Sequence, residues 1–341
     1  MSRRTVSSVG EFGLIDLIRA ELPASVKDHD SLSVGIGDDT AVWQPTPGEQ
    51  LLITTDALVE GVHFDFAWQD WESLGWKALA SNLSDIAAMG GRPALATVTL
   101  GLQADTAVDD VLDFYRGAAR LAEMSTVLIA GGDIVRSPEA ITIGVTVVGE
   151  TRDGRHLSRS GAQPGDLILV SGTLGAAAAG LQLATLPASD PRRNAATAPA
   201  LIDALLQPQP RIELGELALS SGASSAMDLS DGLLGDLPKI LSASNVSAAI
   251  SLADLPIAAS VRALFPDTFH QLALRGGEDY ELLLTASQEA VELIQGPAND
   301  FGQMVTVIGE VTDPTPSGTH LTVLDESGHA MSFGEGAFSH F

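Results

Sequence analysis

Apolar segments in this chain keep ending in the same way, on an acidic turn built from glycine or hydroxyl residues. Leu32–Ile36 runs into Gly37-Asp38-Asp39, Leu51–Thr55 ends at Asp56, Thr126–Ala130 meets Gly131-Gly132-Asp133, and Ser225–Leu229 leads into Ser230-Asp231-Gly232. Short apolar runs bounded by such turns read as strands. Between them lie segments with helical spacing. Over 70–89 the apolar positions are Leu74, Ala78, Leu79, Leu83, Ile86 and Met89, closed by Gly90-Gly91 and Pro93. This alternation predicts an α/β or α+β chain whose strand ends carry carboxylates.

The pattern fills two blocks. In the first, helices are expected over 9–22, 70–89 and 105–124, and strands over 32–36, 51–55, 94–102, 126–130 and 141–150. In the second, strands over 166–171, 225–229, 247–252, 279–285 and 304–311 alternate with helices over 172–184, 199–207, 210–221, 232–243, 257–264 and 287–295. Residues 185–200, rich in Pro, Ala, Ser and Thr, read as a surface loop. A length of 341 residues, at roughly 150 per domain, suits two domains, with an expected division into 1–151 and 152–341.

Composition removes several function classes. Lys and Arg number 18 against 44 Asp and Glu, a net charge of −26, which disfavours nucleic acid and anionic membranes as partners. A phosphate-bearing ligand would need metal cations or backbone amides to overcome that field. The chain has no cysteine, so disulfides, thiolate metal sites and a cysteine nucleophile are excluded. It holds no apolar run of membrane-span length and no signal-peptide core after Met1-Ser2-Arg3-Arg4-Thr5, so the expected location is the cytoplasm. The three lysines, Lys27, Lys77 and Lys239, are followed by Asp28, Ala78 and Ile240, which rules out a P-loop. Gly35-Ile36-Gly37 lacks the third glycine of a dinucleotide fingerprint.

What remains is a set of carboxylates: Asp38, Asp39, Asp56, Asp85, Asp133, Asp228 and Asp231. Each alone reads more readily as a turn or helix-cap acid than as a ligand. Together, with hydroxyls beside them in Thr54-Thr55-Asp56, Ser84-Asp85 and Ser230-Asp231, they suit Mg²⁺, which takes one or two carboxylates plus substrate phosphates. Independent caps are the competing reading. Glu278 sits in the glycine turn Gly276-Gly277-Glu278-Asp279-Tyr280-Glu281, and Glu281 is expected to face solvent on the strand that follows. His63, seven residues after Asp56, reads by itself more readily as a hydrogen-bonded structural histidine than as a ligand group, and Arg159 more readily as a surface arginine than as a bidentate phosphate clamp; Tyr115 sits on a helix as a packing residue unless a nucleotide base lies over it.

Taken in order, these strings resemble the thiamine-monophosphate kinase family. They are Gly10-Glu11-Phe12, Gly35-Ile36-Gly37-Asp38-Asp39, Thr54-Thr55-Asp56 with Gly61-Val62-His63-Phe64, and Asn82-Leu83-Ser84-Asp85-Ile86-Ala87-Ala88-Met89-Gly90. Gly131-Gly132-Asp133, Ser158-Arg159-Ser160-Gly161, Asp228-Leu229-Ser230-Asp231-Gly232-Leu233 and Gly276-Gly277-Glu278-Asp279-Tyr280-Glu281-Leu282 complete them.

The resemblance implies the two-domain fold of aminoimidazole-ribonucleotide synthetase. Its N-terminal domain is a mixed sheet with helices, which binds metal and ATP and joins a homodimer, and its C-terminal α/β domain completes the active site. It implies transfer of the ATP γ-phosphoryl to thiamine monophosphate, the last step of thiamine diphosphate formation, with several Mg²⁺ ions and no covalent nucleophile. By position, Asp39, Asp56, Asp85, Asp133, Asp228 and Asp231 are then the metal ligands, with Thr54 and Thr55 helping through hydroxyl or backbone oxygen. Tyr115, Gly132, Asp133, Arg159 and Ser230 contact ATP. His63, Glu278 and Phe338 contact thiamine monophosphate, Phe338 standing where the family often has Tyr or Trp.

Overall fold

The two strand-bearing blocks become two separate sheets in the structure, a computed structural model that describes residues 4–315 and 320–331. One unit takes the chain up to Ile86 and Arg92–Gly154; the second takes Ala87–Gly91 and the chain from Arg155 onward. The division thus falls three residues later than 151/152. The glycine stop after the second helix goes with the other unit, an exchange that no local pattern announces.

The first unit contains α1 (Val6–Glu21), β1 (Leu32–Val34), β2 (Val42–Trp43), β3 (Leu51–Val59), α2 (Trp71–Ala88, all but its last two residues), β4 (Arg92–Leu102), α3 (Val108–Ser125), β5 (Leu128–Arg136) and β6 (Thr142–Glu150). Among the described residues β3, β6, β4 and β5 form a four-stranded mixed sheet in that order, with β3–β6 and β6–β4 antiparallel and β4–β5 parallel. Burial of Ile143, Val145 and Val147 on alternate positions of β6 marks its core face. Helices α2 and α3 cross closely enough to require glycine. A Cβ on Gly75 would lie 1.8 Å from the Phe114 carbonyl oxygen, and one on Gly117 would lie 1.8 Å from that of Glu72. Helix α1 is interrupted at Gly10, whose φ of +73° no other residue type adopts readily, and Phe12 just beyond it is 79% exposed.

The second unit contains β7 (Leu167–Ser171), α4 (Ala176–Thr185), α5 (Ala198–Leu206), α6 (Ile212–Ser221), β8 (Ser225–Asp228), α7 (Leu233–Ser244), β9 (Ser247–Ser251), α8 (Ala259–Leu264), α9 (Phe269–Arg275), β10 (Leu282–Ala286), α10 (Gln288–Asp300), β11 (Val305–Thr312), β12 (Leu321–Leu324) and β13 (Ala330–Met331). The described strands lie in the order β13-β12-β9-β11-β7-β10-β8, antiparallel throughout except for β12–β9. Both faces of the central strands are covered. Ile168, Val170, Met227 and Leu283 enter one apolar cluster, while Leu169, Ala226, Leu282 and Leu284 enter the other. That double burial explains why β7 and β10 read as unbroken apolar runs rather than alternating ones. The stretch expected as loop, 185–200, holds a short 3₁₀ turn at Pro191–Asn194, capped by Asp190 accepting from the Arg192 N–H.

Candidate active site

In the first unit the acidic turns are positioned by β3, β5 and the end of α2. Asp56 and Asp133 sit inside strands, not at their ends, because β3 pairs with β6 as far as Val59 and β5 follows β4 as far as Arg136. Thr54 and Asp56 share one face of β3. Thr54 Oγ1 donates to Asp85 Oδ2 at 2.5 Å, across from α2. Burial pushes the Asp56 carboxyl up, the neighbouring Asp85 charge pushes it further, and a hydrogen bond with Ser81 opposes both. Ser81, a turn before Asp85 on α2, went unnoticed in the sequence although its spacing of four from Asp85 puts the two on one face.

Thr55 points the other way, as period-two alternation requires, and its hydroxyl donates to the Val145 carbonyl at 3.1 Å. The structure therefore brings Thr54, Asp56 and Asp85 together and leaves the Thr55 hydroxyl on the opposite face. Two adjacent carboxylates with the Thr54 and Ser81 hydroxyls form an all-oxygen donor set that fits Mg²⁺ and would have its like-charge repulsion relieved by it. Among the described residues no three His, Cys, Asp or Glu side chains are grouped as a metal cluster.

A cavity of about 570 Å³ lies in the same unit. Its wall includes Gly35–Ala41, Gly131–Ile134, Phe12 and Tyr115, so Asp39, Gly132 and Asp133 share one hollow with the aromatic Phe12 at its edge. Its two central glycines differ. Gly131 has open space where a Cβ would stand, whereas a Cβ on Gly132 would lie 1.8 Å from the Val98 carbonyl oxygen. Gly132 is thus required by the β4–β5 approach, and Gly131 leaves the backbone accessible. Tyr115 is buried against Phe114, ring centroids 5.5 Å apart, and burial raises its phenol well above the usual range. His63 is half-buried in a turn, its Nδ1 accepting from the Val59 N–H at 3.1 Å; a neutral ring then carries its proton on Nε2.

In the second unit Asp228 ends β8 opposite Leu282 and is buried. The loop after it is tied down by a residue the sequence reading passed over. Asp236, fully buried in the first turn of α7, accepts the N–H groups of Ser230 (3.0 Å) and Asp231 (2.9 Å). Lys239 bridges Asp236 (2.8 Å) and Asp231 (2.7 Å). The i, i+3 spacing of Asp236 and Lys239 was the available signal. Arg159 is exposed, its carbonyl accepting from Ser244 Oγ.

Glu278 is half-buried at φ +67°. Glu281, expected to face solvent, is buried instead. Arg211 grips it through Nε (2.7 Å) and Nη2 (2.5 Å), and Ser171 Oγ donates to it at 2.5 Å. The alternation that would turn it outward fails because β10 is covered on both faces. Phe338 lies outside the described residues.

Two family models match in succession: AIR synthase related protein, N-terminal domain, over residues 37–151, and AIR synthase related protein, C-terminal domain, over 163–320. Fold and domain order together define the class, that of the two-domain AIR synthase related proteins. The chain is 35% identical over 326 residues to the thiamine-monophosphate kinase of Bacillus subtilis (strain 168), covering 96% of this chain and 98% of the relative. It superposes on the crystal structure of thiamine-monophosphate kinase from Stenotrophomonas maltophilia K279a with a TM-score of 0.80 at 39% identity, covering 95% and 98% of the two chains. On the structure of AaThiL complexed with AMPPCP and TMP the TM-score is 0.76 at 35% identity, covering 98% and 97%. The chain belongs to the thiamine-monophosphate kinase family. No helix among the described residues is long and apolar enough to cross a membrane.

Proposed function

We propose that this chain transfers the γ-phosphoryl group of ATP to the phosphate of thiamine monophosphate, giving thiamine diphosphate and ADP as the last step of thiamine diphosphate formation. The observation that carries this reading is near-full-length likeness, at 35% identity, to a protein solved with both AMPPCP and TMP bound.

The acceptor is a phosphate monoester, whose second ionisation near pH 6 leaves it largely dianionic at neutral pH. A strong general base is unnecessary, which accords with the acidic residues proposed for the site. In-line displacement without a phosphorylated protein follows, because no side chain has to act as nucleophile. Mg²⁺ would neutralise the facing phosphate charges when bound. Asp56 and Asp85, steadied by Thr54, are the ligands best supported by geometry; Asp39, Asp133, Asp228 and Asp231 are assigned as further ligands, with Thr55 contributing through its backbone oxygen. Gly132, Asp133, Arg159, Ser230 and the Tyr115 phenol are assigned to ATP; His63, Glu278 and Phe338 are assigned to thiamine monophosphate. A homodimer joined through the first unit and a cytoplasmic location complete the proposal.

³¹P NMR of the purified protein with ATP, Mg²⁺ and thiamine monophosphate tests it. New diphosphate resonances matching thiamine diphosphate, together with ADP, are expected. Intact ATP would refute the assigned acceptor, and ADP with free phosphate alone would reduce the activity to hydrolysis.

A further inference from the structure

The loop Gly276–Glu281 carries more constraint than a strand entrance needs. Two non-glycine residues within it, Glu278 (φ +67°) and Tyr280 (φ +49°), occupy the left-handed region. Each such conformation is strained for a residue with a Cβ and persists only where surroundings enforce it.

The enforcing contacts come from three sides. The β8–β10 ladder continues into both loops: the Leu229 N–H donates to the Glu281 carbonyl (2.8 Å), the Tyr280 N–H to the Leu229 carbonyl (2.9 Å), and the Glu278 N–H to the Ser230 carbonyl (2.9 Å). Asp279, between the two strained residues, accepts the N–H groups of Gly175 (2.7 Å) and Ala177 (3.2 Å) at the start of α4. Glu281 closes the loop with its bidentate ion pair to Arg211, and Ser171 Oγ both donates to Glu281 and accepts the Leu282 N–H at 2.8 Å. Gly172 makes room for that carboxylate, since a Cβ there would stand 1.9 Å from Glu281 Oε1.

A buried ion pair is a poor route to stability, because desolvation consumes most of its Coulombic gain. What it does supply is geometry: a guanidinium fork fixes a carboxylate in one plane, which a lysine ammonium cannot do. We propose that Arg211 is a positioning residue for acceptor recognition. Its fork holds Glu281, and with it the backbone register that presents Glu278 beside the Ser230 turn. The inference rests on the assignment of Glu278 to thiamine monophosphate made above.

The test compares Arg211→Lys, Glu278→Gln and the double variant by KM for each substrate, kcat and thermal unfolding. Lysine keeps the charge opposite Glu281 and discards only the fork. Arg211→Lys is expected to unfold cooperatively like the parent, to raise KM for thiamine monophosphate about tenfold and to leave KM for ATP within about twofold. In the Glu278→Gln background the same change is expected to add nothing to KM for thiamine monophosphate.

Equal rises in both KM values, or additivity in the double variant, would overturn the positioning role. An impaired Glu278→Gln beside an unaffected Arg211→Lys overturns the Arg211 proposal alone. A Glu278→Gln with unchanged KM for thiamine monophosphate overturns the assignment of Glu278 and the proposal with it. Ser171→Ala, which removes one bond to Glu281 and spares the ion pair, carries the same comparison if Arg211→Lys does not fold, and without a selective rise it too refutes the role.

Discussion

Replacing Asp279 with asparagine isolates the pH dependence that one buried carboxyl imposes on the second unit. Burial pushes this carboxyl up, and the charge of nearby Glu281 adds to the effect; the N–H groups of Gly175, Ala177 and Ala176 oppose them, leaving it at about 7. The unfolded chain ionises Asp at its ordinary value of 3.8. Between those limits the folded state binds more protons than the unfolded state, so the contribution of Asp279 to stability falls as pH rises through that window. At about 1.4 kcal/mol for each pH unit, the full swing is at most about 4 kcal/mol. Asparagine is neutral throughout and keeps an oxygen to accept the Gly175 N–H. Relative to the parent, Asp279→Asn should gain several kcal/mol between pH 4 and pH 8, starting from near parity at the acid end.

The assay is urea unfolding of both proteins across that range. Far-UV circular dichroism is the probe to use, because it reads both units, whereas Trp43, Trp68, Trp71 and Trp76 all lie in the first unit. A difference between the two proteins that is flat with pH would refute the raised ionisation. A difference of opposite sign, with the parent gaining on the variant as pH rises, would mean that the N-terminus of α4 and its backbone donors outweigh burial and hold the carboxylate ionised.

Two further substitutions probe the first unit. Asp85→Asn leaves Thr54 Oγ1 an acceptor but removes the charge facing Asp56; turnover should fall by about 100-fold with a raised Mg²⁺ requirement, checked by titrating Mg²⁺ at saturating ATP, and an unchanged metal dependence would refute a shared ligand role. Gly132→Ala drives a methyl into the Val98 carbonyl, so it should destabilise the unit by about 1–3 kcal/mol in tryptophan-monitored unfolding, whereas Gly131→Ala, placed in open space, should cost well under that.

The elements most legible in the sequence were those with a long period or a hard stop. Helix α2 was bounded by its apolar spacing and Gly90, and β6 lies almost where 141–150 was expected. Several short pieces escaped: β2 and β13 have two residues each and α9 has seven, too few to display a period, although the equally short α8 and β1 were marked by their flanking turns. The acidic turns were read as a set and misplaced in detail. Asp56 and Asp133 terminate apolar runs but not strands, since a ladder continues on backbone hydrogen bonds after the side chains turn polar. Reading β3 through to Val59 would have separated Thr54 and Asp56 from Thr55 by alternation alone.

The residues that hold the site were harder to see than the residues proposed to form it, and the reason is distance along the chain. Asp236 and Lys239 lie within eight residues of Asp231, so helical spacing could have revealed them. Arg211 and Glu281 are 70 residues apart, and Ser171 is 110 from Glu281. Nothing local to Arg211 marks it, beyond its place between Pro210 and the start of α6. Its partner was misread as solvated because strand alternation was applied to a strand covered on both faces. A charged residue directly abutting an unbroken apolar run, as Glu281 abuts Leu282–Leu284, is the better signal: desolvating it is so costly that the fold must supply a partner, and in this chain the partner's geometry is what sets the Glu278 loop.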